Sequence, residues 1–359
     1  MKPIKKILLI FLLLTLSTGC SNNTPKVIKP DNTKLQYTGR IDFAKPQQPV
    51  FYWPGTQVSF RFKGTAATVR LEDSDGNDYY NVLIDSNFTQ PLVLDCIKGD
   101  SIYTLAKNLP DTIHTIQLFK RTEDFAGHTI FHEIILNPGA KLLSPPLRPE
   151  HRILFYGNSI TCGMGNECSD EEGDNDFSKR NNFLAYGAIT ARNLKTEYVC
   201  VSKSGIGIMI SWFDLIMPQM YNRIAPYDST REWDFSKGQP DVIVINLGQN
   251  DSWLIKKLDP VPDETEIITA YQTFIKTIRS KHPQAFIFCV LGTMDAIKPG
   301  SPWPGYITRA VGEYSKSADD QKIKSFIFSW QDFEKHPRVR HHKKMAAELT
   351  ELIKTTMGW

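Results

Sequence analysis

The alternation of apolar and polar positions changes character near residue 145. From about Leu35 to Leu143 the apolar residues come in short runs, mostly with a period of two: "QVSFRF", "ATVRLED", "YYNVLID", "LVLDCI", "HTIQLFK" and "TIFHEIIL". Turn-forming stretches such as "DSDGND" and "KGD" separate them, and "SDGN" has the composition of a hairpin turn. Many short strands at this spacing predict an all-β sandwich over 35–144. "LLSPPLRPE" then interrupts the pattern. Pro145, Pro146 and Pro149 can continue neither a strand ladder nor a helix interior, so this stretch reads as a linker.

Beyond the linker, strands and helices alternate. "RILFYG", "EYVCVSKSG", "AFIFCVLG" and "KSFIFSW" read as strands, and the unbroken apolar run "DVIVINLG" marks a central parallel one. Between them "FLAYGAITARNL", "ETEIITAYQTFIKTIRSKHP" and "HHKKMAAELTELIKTTM" carry helical periodicity. This order predicts a doubly wound α/β domain over 145–359. A length of 359 residues suits two domains.

The amino terminus follows neither pattern. "MKPIKK" is a basic segment, "ILLIFLLLTL" an apolar one too short for a stable membrane span, and "STGC" ends in Cys20. The arrangement is that of a secretory signal over residues 1–20. Cys20 after Gly19 resembles a bacterial lipobox, with Ser17 where leucine is usual. Lipidation of Cys20 would anchor the protein to a membrane surface of the bacterial cell envelope without spanning it. "SNNTPKVIKPDNTK", residues 21–34, reads as a flexible tether.

Removing that signal changes the charge. The chain has 42 basic and 39 acidic residues; Lys2, Lys5 and Lys6 leave with the signal, so 42 − 3 gives 39 against 39. A balance of zero gives no electrostatic case for nucleic-acid binding. Five cysteines remain, an odd number that argues against a disulfide scaffold. Cys162 and Cys168 flank a short loop, and either a bridge or two free thiols fits their spacing. No spacing matches a zinc site, and the "SDGN" turn lacks the ligand spacing and terminal glutamate of an EF-hand. "DEEGDND" reads first as a solvated insertion or the edge of a site, with a calcium loop as the lesser alternative.

In open parallel sheets, ligands gather at the carboxyl ends of strands. Here those ends read "YGNSIT", "SKSGIG", "LGQNDSW" and "LGTMD". Ser159, on a strand-to-helix turn, projects its hydroxyl from the sheet, with its own N–H near a helix start where an oxyanion would form. Such a serine needs a base. Among eight histidines His336 is the candidate, since it follows the last strand and precedes the last helix. His282 ends a helix on the opposite side, and His341 and His342 begin the final helix. Gly205 can bring a backbone N–H close to a substrate, and Asn250 can donate its side-chain amide. Asp251 reads as structural. "GNSI" lacks the G-x-S-x-G elbow of α/β-hydrolases.

Gly157-Asn158-Ser159, Gly205, Asn250 and His336 resemble the four blocks of the SGNH/GDSL hydrolase superfamily, with Asn158 in place of the usual aspartate. The front half ("FYWPGTQVSFRFKGT", "VLIDSN", "HTIQLFKRTE", "GAKLLSPP"), followed directly by "GNSITCGMG", resembles carbohydrate esterase family 2. That resemblance implies a jelly-roll β-domain ahead of an SGNH domain, and removal of O-acetyl groups from plant polysaccharides such as xylan or glucomannan, with neither metal nor cofactor. It implies Ser159 as nucleophile, His336 as base, and Gly205, Asn250 and the Ser159 N–H as oxyanion hole. One position departs from the pattern: Phe333 stands where the D-x-x-H block has its aspartate, with Asp332 one residue earlier. The expectation is therefore a Ser–His dyad with backbone support, and Asp332 as the alternative orienting group. Trp253 and Trp303 are candidates for stacking on sugar rings. Two other readings stay open: a glycan-binding lipoprotein with a vestigial site, and an esterase of another acylated sugar. Oligomeric state is not legible.

Overall fold

A computed structural model describes residues 24–359. The expected lipidation site Cys20 and the signal over 1–20 lie outside the described residues.

The first region is a sandwich of two six-stranded antiparallel sheets. One centres on Ala67–Asp73 and Thr129–Leu136, the other on Gln57–Gly64 and Thr112–Lys120. The period-two pattern explains the burial. Val58, Phe60 and Phe62 face inward from one sheet, and Ala67, Val69 and Leu71 from the other. Part of the expected tether belongs to this sandwich. Lys26–Ile28 pairs antiparallel with Ile134–Leu136, and Ile28 is buried. Its β-branched residues read as tether because lysines and prolines flank them.

The second region is a five-stranded parallel sheet formed by Arg152–Gly157, Glu197–Ser202, Val242–Asn246, Phe286–Leu291 and Ile323–Ile327. Numbered in chain order, these lie 2-1-3-4-5 across the sheet. The order reverses beside the first strand, at the point where such sheets bind ligands. Helices pack in two pairs, Tyr186–Asn193 with Val339–Met357 and Glu264–Lys281 with Trp303–Ala318. Periodicity foretold all but the helix Trp303–Ala318. Its Pro304, Gly305 and Gly312 suggest a loop, yet proline is tolerated in a first helical turn.

The sandwich has a core of its own, and three of its residues also join the core of the second region. Trp53, Leu83 and Phe119 of the sandwich pack into the same apolar cluster as Phe155, Phe183 and Tyr198. Polar contacts lock the joint: Arg231 pairs with Asp42, and buried Arg40 donates to the Tyr221 and Arg223 carbonyls. This seam positions a sandwich loop against the carboxyl end of the parallel sheet.

Candidate active site

The strand Arg152–Gly157 ends at Asn158, whose side chain accepts from the Ile160 N–H at 3.0 Å and caps a single helical turn, Ser159–Cys162. That turn presents Ser159 at the carboxyl end of the sheet. Its Oγ lies 2.9 Å from His336 Nε2. The separation of 177 positions is closed by the fold, because the loop after the last strand returns over the first.

The other nitrogen of His336 corrects an expectation. Nδ1 faces Asp174 Oδ2 at 2.8 Å. The histidine is therefore oriented by a carboxylate, not by a backbone carbonyl, and that carboxylate is not Asp332. Asp332 is exposed, with φ +52°, and makes no bond to His336. Asp174 comes from the acidic loop "NECSDEEGDNDFSKR", directly after the nucleophile turn. Its Oδ1 accepts from Arg338 Nη1 at 2.5 Å. Arg338 also donates to the Gly165 and Glu172 carbonyls, and Arg340 pairs in a fork with Asp170. The acidic loop is thus clamped to the histidine loop. Gly165 permits the close approach: it has φ +59°, and a Cβ there would lie 2.6 Å from Asp174 Oδ1. Burial raises the Asp174 pKa, but hydrogen bonds and charge from His336 and Arg338 outweigh it and hold the carboxyl below its ordinary value.

The three other histidines weighed for the role are engaged elsewhere. His342 Nδ1 accepts from the Tyr186 N–H and His341 Nδ1 from the Arg338 N–H. Burial pushes His342 down to about 3, and burial with the neighbouring Arg340 pushes His341 down to about 4. His282 caps the helix Glu264–Lys281.

Gly205 and Asn250 line one cavity of about 340 Å³ with Ser159 and His336. Gly205 has φ +82°, a conformation glycine adopts without penalty. Neither its N–H nor that of Ser159 finds an acceptor among the described residues. Asn250 Nδ2 donates to the Ile206 carbonyl at 2.8 Å, and its Oδ1 accepts from Trp212 Nε1 at 3.2 Å. The indole can only donate and the carbonyl only accept, so these two bonds fix the amide's orientation and leave one N–H free. Asp251 accepts from three consecutive N–H groups, Ile208 to Ile210, and pins the loop that follows Gly205.

The two tryptophans part company. Trp253 lines the cavity, 38% exposed, with its indole N–H held by Asp295 at 2.7 Å. Trp303 is buried at 7% in the core beside Gly248, which removes it from the candidates. Three wall residues escaped the sequence reading: Trp212, Phe213 and Phe125, the last from the sandwich. "SWFD" was a legible signal for the first two, lying seven residues after Gly205. Cys162 and Cys168 are free thiols. A larger cavity, about 940 Å³, lies at the amino ends of the strands. Its Arg148 and Arg152 are paired to Glu197 and its Arg231 to Asp42, and it holds no nucleophile beside a base. The smaller cavity is the site with chemistry.

A hydroxyl, an imidazole and a carboxylate in series, with free N–H donors beside the hydroxyl and a 2-1-3-4-5 sheet beneath, define a hydrolase of the SGNH/GDSL class. Comparisons agree. Residues 37–146 match the carbohydrate esterase 2 N-terminal family, and residues 155–327 the GDSL-like lipase/acylhydrolase family. The cellulase/esterase CelE of Acetivibrio thermocellus is 34% identical over 92% of this chain, which spans 40% of that protein's length. An acetylxylan esterase/glucomannan deacetylase of Cellvibrio japonicus is 27% identical over 99% of this chain and all of its own. The structure of a family two carbohydrate esterase from Clostridium thermocellum in complex with cellohexaose superposes with a TM-score of 0.82. It shares 33% identity, over 90% of this chain and 99% of that one. The chain belongs to carbohydrate esterase family 2.

Proposed function

We propose that this protein is a serine esterase that removes O-acetyl groups from plant polysaccharides or their oligosaccharides, xylan and glucomannan being the leading substrates. The observation that carries the reading is the hydrogen-bonded series Ser159–His336–Asp174 at the floor of an aromatic-walled cavity. Names borne by its relatives, acetylxylan esterase and glucomannan deacetylase, support the substrate class.

The chemistry follows from the geometry. His336 Nε2 takes the Ser159 proton as Oγ attacks the acetyl carbon. The carbonyl oxygen, now negative, takes hydrogen bonds from the N–H groups of Ser159 and Gly205 and from the free Asn250 N–H. As the tetrahedral species collapses, the C–O bond to the sugar breaks and the imidazolium returns its proton to the sugar oxygen. Water, activated by the same imidazole, then releases acetate from Ser159. Asp174 holds Nδ1–H so that Nε2 faces the serine, and it stabilises the imidazolium while the proton resides there. Each oxyanion donor contributes about a hundred- to a thousand-fold in rate. Exposed Trp253 and Trp212 supply flat apolar faces for sugar rings. The proposal also places the enzyme at the cell envelope, anchored through Cys20.

The test is acetate release from acetylated xylan, acetylated glucomannan and acetylated monosaccharides. Wild type should release acetate and Ser159→Ala should release none while keeping its circular dichroism spectrum. Saturable glycan binding with no acetate release from wild type would instead make this a binding protein.

A further inference from the structure

The loop that carries the oxyanion donor Gly205 is held from outside its own domain. Two consecutive residues before it, Lys203 and Ser204, are gripped by two consecutive residues of the sandwich, Asp124 and Glu123. Glu123 lies between the strands Thr112–Lys120 and Thr129–Leu136, 1% exposed. Its Oε2 accepts from the Ser204 N–H at 2.6 Å and its Oε1 from the Ser204 hydroxyl. Arg180, which lines the cavity, donates to Oε1 at 3.2 Å, and the Cys162 thiol faces Oε2 at 3.4 Å. Cys162 ends the nucleophile's own helical turn. One carboxylate therefore touches the oxyanion loop, the nucleophile turn and the end of the acidic loop that supplies Asp174.

The neighbours extend the grip. Lys203, fully buried, donates to Asp124 Oδ2 at 2.5 Å, and its ammonium lies 3.5 Å from the Phe125 ring centroid. Phe125 packs edge-on against Phe213, and both rings wall the cavity. A bare surface contact between domains needs no buried carboxylate. A loop whose backbone N–H must point at a developing charge does need fixing, because only a preorganised donor favours the transition state over the ground state. The peptide plane of Ser204 precedes that of Gly205, so a bond to the Ser204 N–H limits rotation at the shared residue. The Gly205 backbone, at φ +82°, has no side chain of its own to limit it.

We propose that Glu123 is a positioning residue for catalysis: the β-sandwich sets the orientation of the Gly205 N–H through the Glu123–Ser204 bonds, so the N-terminal domain completes the active site. This rests on the reading of Gly205 as an oxyanion donor. The observation it explains is a carboxylate placed where the second domain's own elements leave the Ser204 N–H and hydroxyl without a partner.

The experiment compares wild type, E123A and E123Q in two readouts. The first is kcat and KM for nitrophenyl acetate. The Glu123→Ala enzyme should lose about ten- to a thousand-fold in kcat, the range for a misplaced oxyanion donor, with KM within about twofold. The Glu123→Gln enzyme keeps an acceptor for the Ser204 N–H and should recover most of that loss. The second readout, hydrogen–deuterium exchange, does not depend on activity. In E123A the segment 203–207 should exchange faster while the sandwich strands keep wild-type protection. A folded E123A with kcat within about threefold of wild type overturns the proposal, as does unchanged exchange at 203–207; for E123Q, a loss equal to that of E123A overturns it. If wild type itself releases no acetate, the esterase reading fails, while exchange still decides whether Glu123 holds the loop.

Discussion

At the scale of single residues, the chemistry turns on the group behind His336. Phe333 stands where the sequence block would place an acid, and it instead packs against His341 with ring centroids 4.4 Å apart. The acid arrives from the other side of the site, through Asp174. Asp174→Asn should lower kcat by about a thousand- to ten-thousand-fold, since an amide there favours the wrong imidazole tautomer. Asp332→Ala should stay within about twofold. Steady-state kinetics on an acetyl ester separates the two, and the reverse ranking would restore Asp332. The pH profile supplies a second check. The Asp174 carboxyl is held below its ordinary value, so its ionic contribution persists above about pH 4 and is lost only as pH falls through the lowered value. The Asp174 carboxyl should therefore add no proton of its own to the acid limb of kcat/KM above about pH 4.

At the scale of elements, two tryptophans of the same residue type have opposite fates. Trp253 sits on a short helix, Gln249–Leu254, that opens beside the cavity. Trp303 starts the helix Trp303–Ala318, whose buried positions Trp303, Ile307, Ala310, Val311 and Tyr314 recur at helical spacing. Trp253→Ala should raise KM for an acetylated oligosaccharide several-fold and leave nitrophenyl acetate nearly unchanged, because only the long substrate reaches the ring. Trp303→Ala should cost about 3–5 kcal/mol of stability, read by denaturant unfolding. The acidic loop is an element of the same kind. Its composition suggests a solvated insertion, whereas Arg338, Arg340 and Lys335 fold it onto the histidine loop. Its charges are paired across 160 or more positions of sequence, a distance over which local pattern carries no information.

At the scale of the molecule, two cores meet at an apolar contact and a buried polar seam, and the second region holds several buried histidines. His282, His341 and His342 are pushed down to about 4, 4 and 3, burial being the largest cause in each. Each is neutral in the fold and takes a proton on unfolding below its ordinary value near 6.5. Stability is therefore full above about pH 6.5 and falls as pH drops from there toward 4. Thermal unfolding followed between pH 8 and 4.5 should show a plateau and then a declining Tm. A flat profile would mean that these imidazoles are solvated.

The sequence by itself determined most of the elements, the order of the two regions, and four of the site residues. Strand and helix periods survive in one dimension, and Ser159, Gly205, Asn250 and His336 each follow a strand end that the pattern marks. The helix Trp303–Ala318 and the strand Lys26–Ile28 were hidden because proline, glycine and lysine weaken the local signal, and packing overrode it. What tertiary structure alone decided is which charged groups meet. Asp174 is one acid among five in "DEEGDND", and nothing local distinguishes it. It becomes the partner of His336 because Gly165 lets it approach and Arg338 holds it there. Glu123 is an ordinary strand-end carboxylate in the sandwich until the domains close and bury it against Ser204. Hydrophobic period is a property of neighbours along the chain; a buried charge finds its partner only through space.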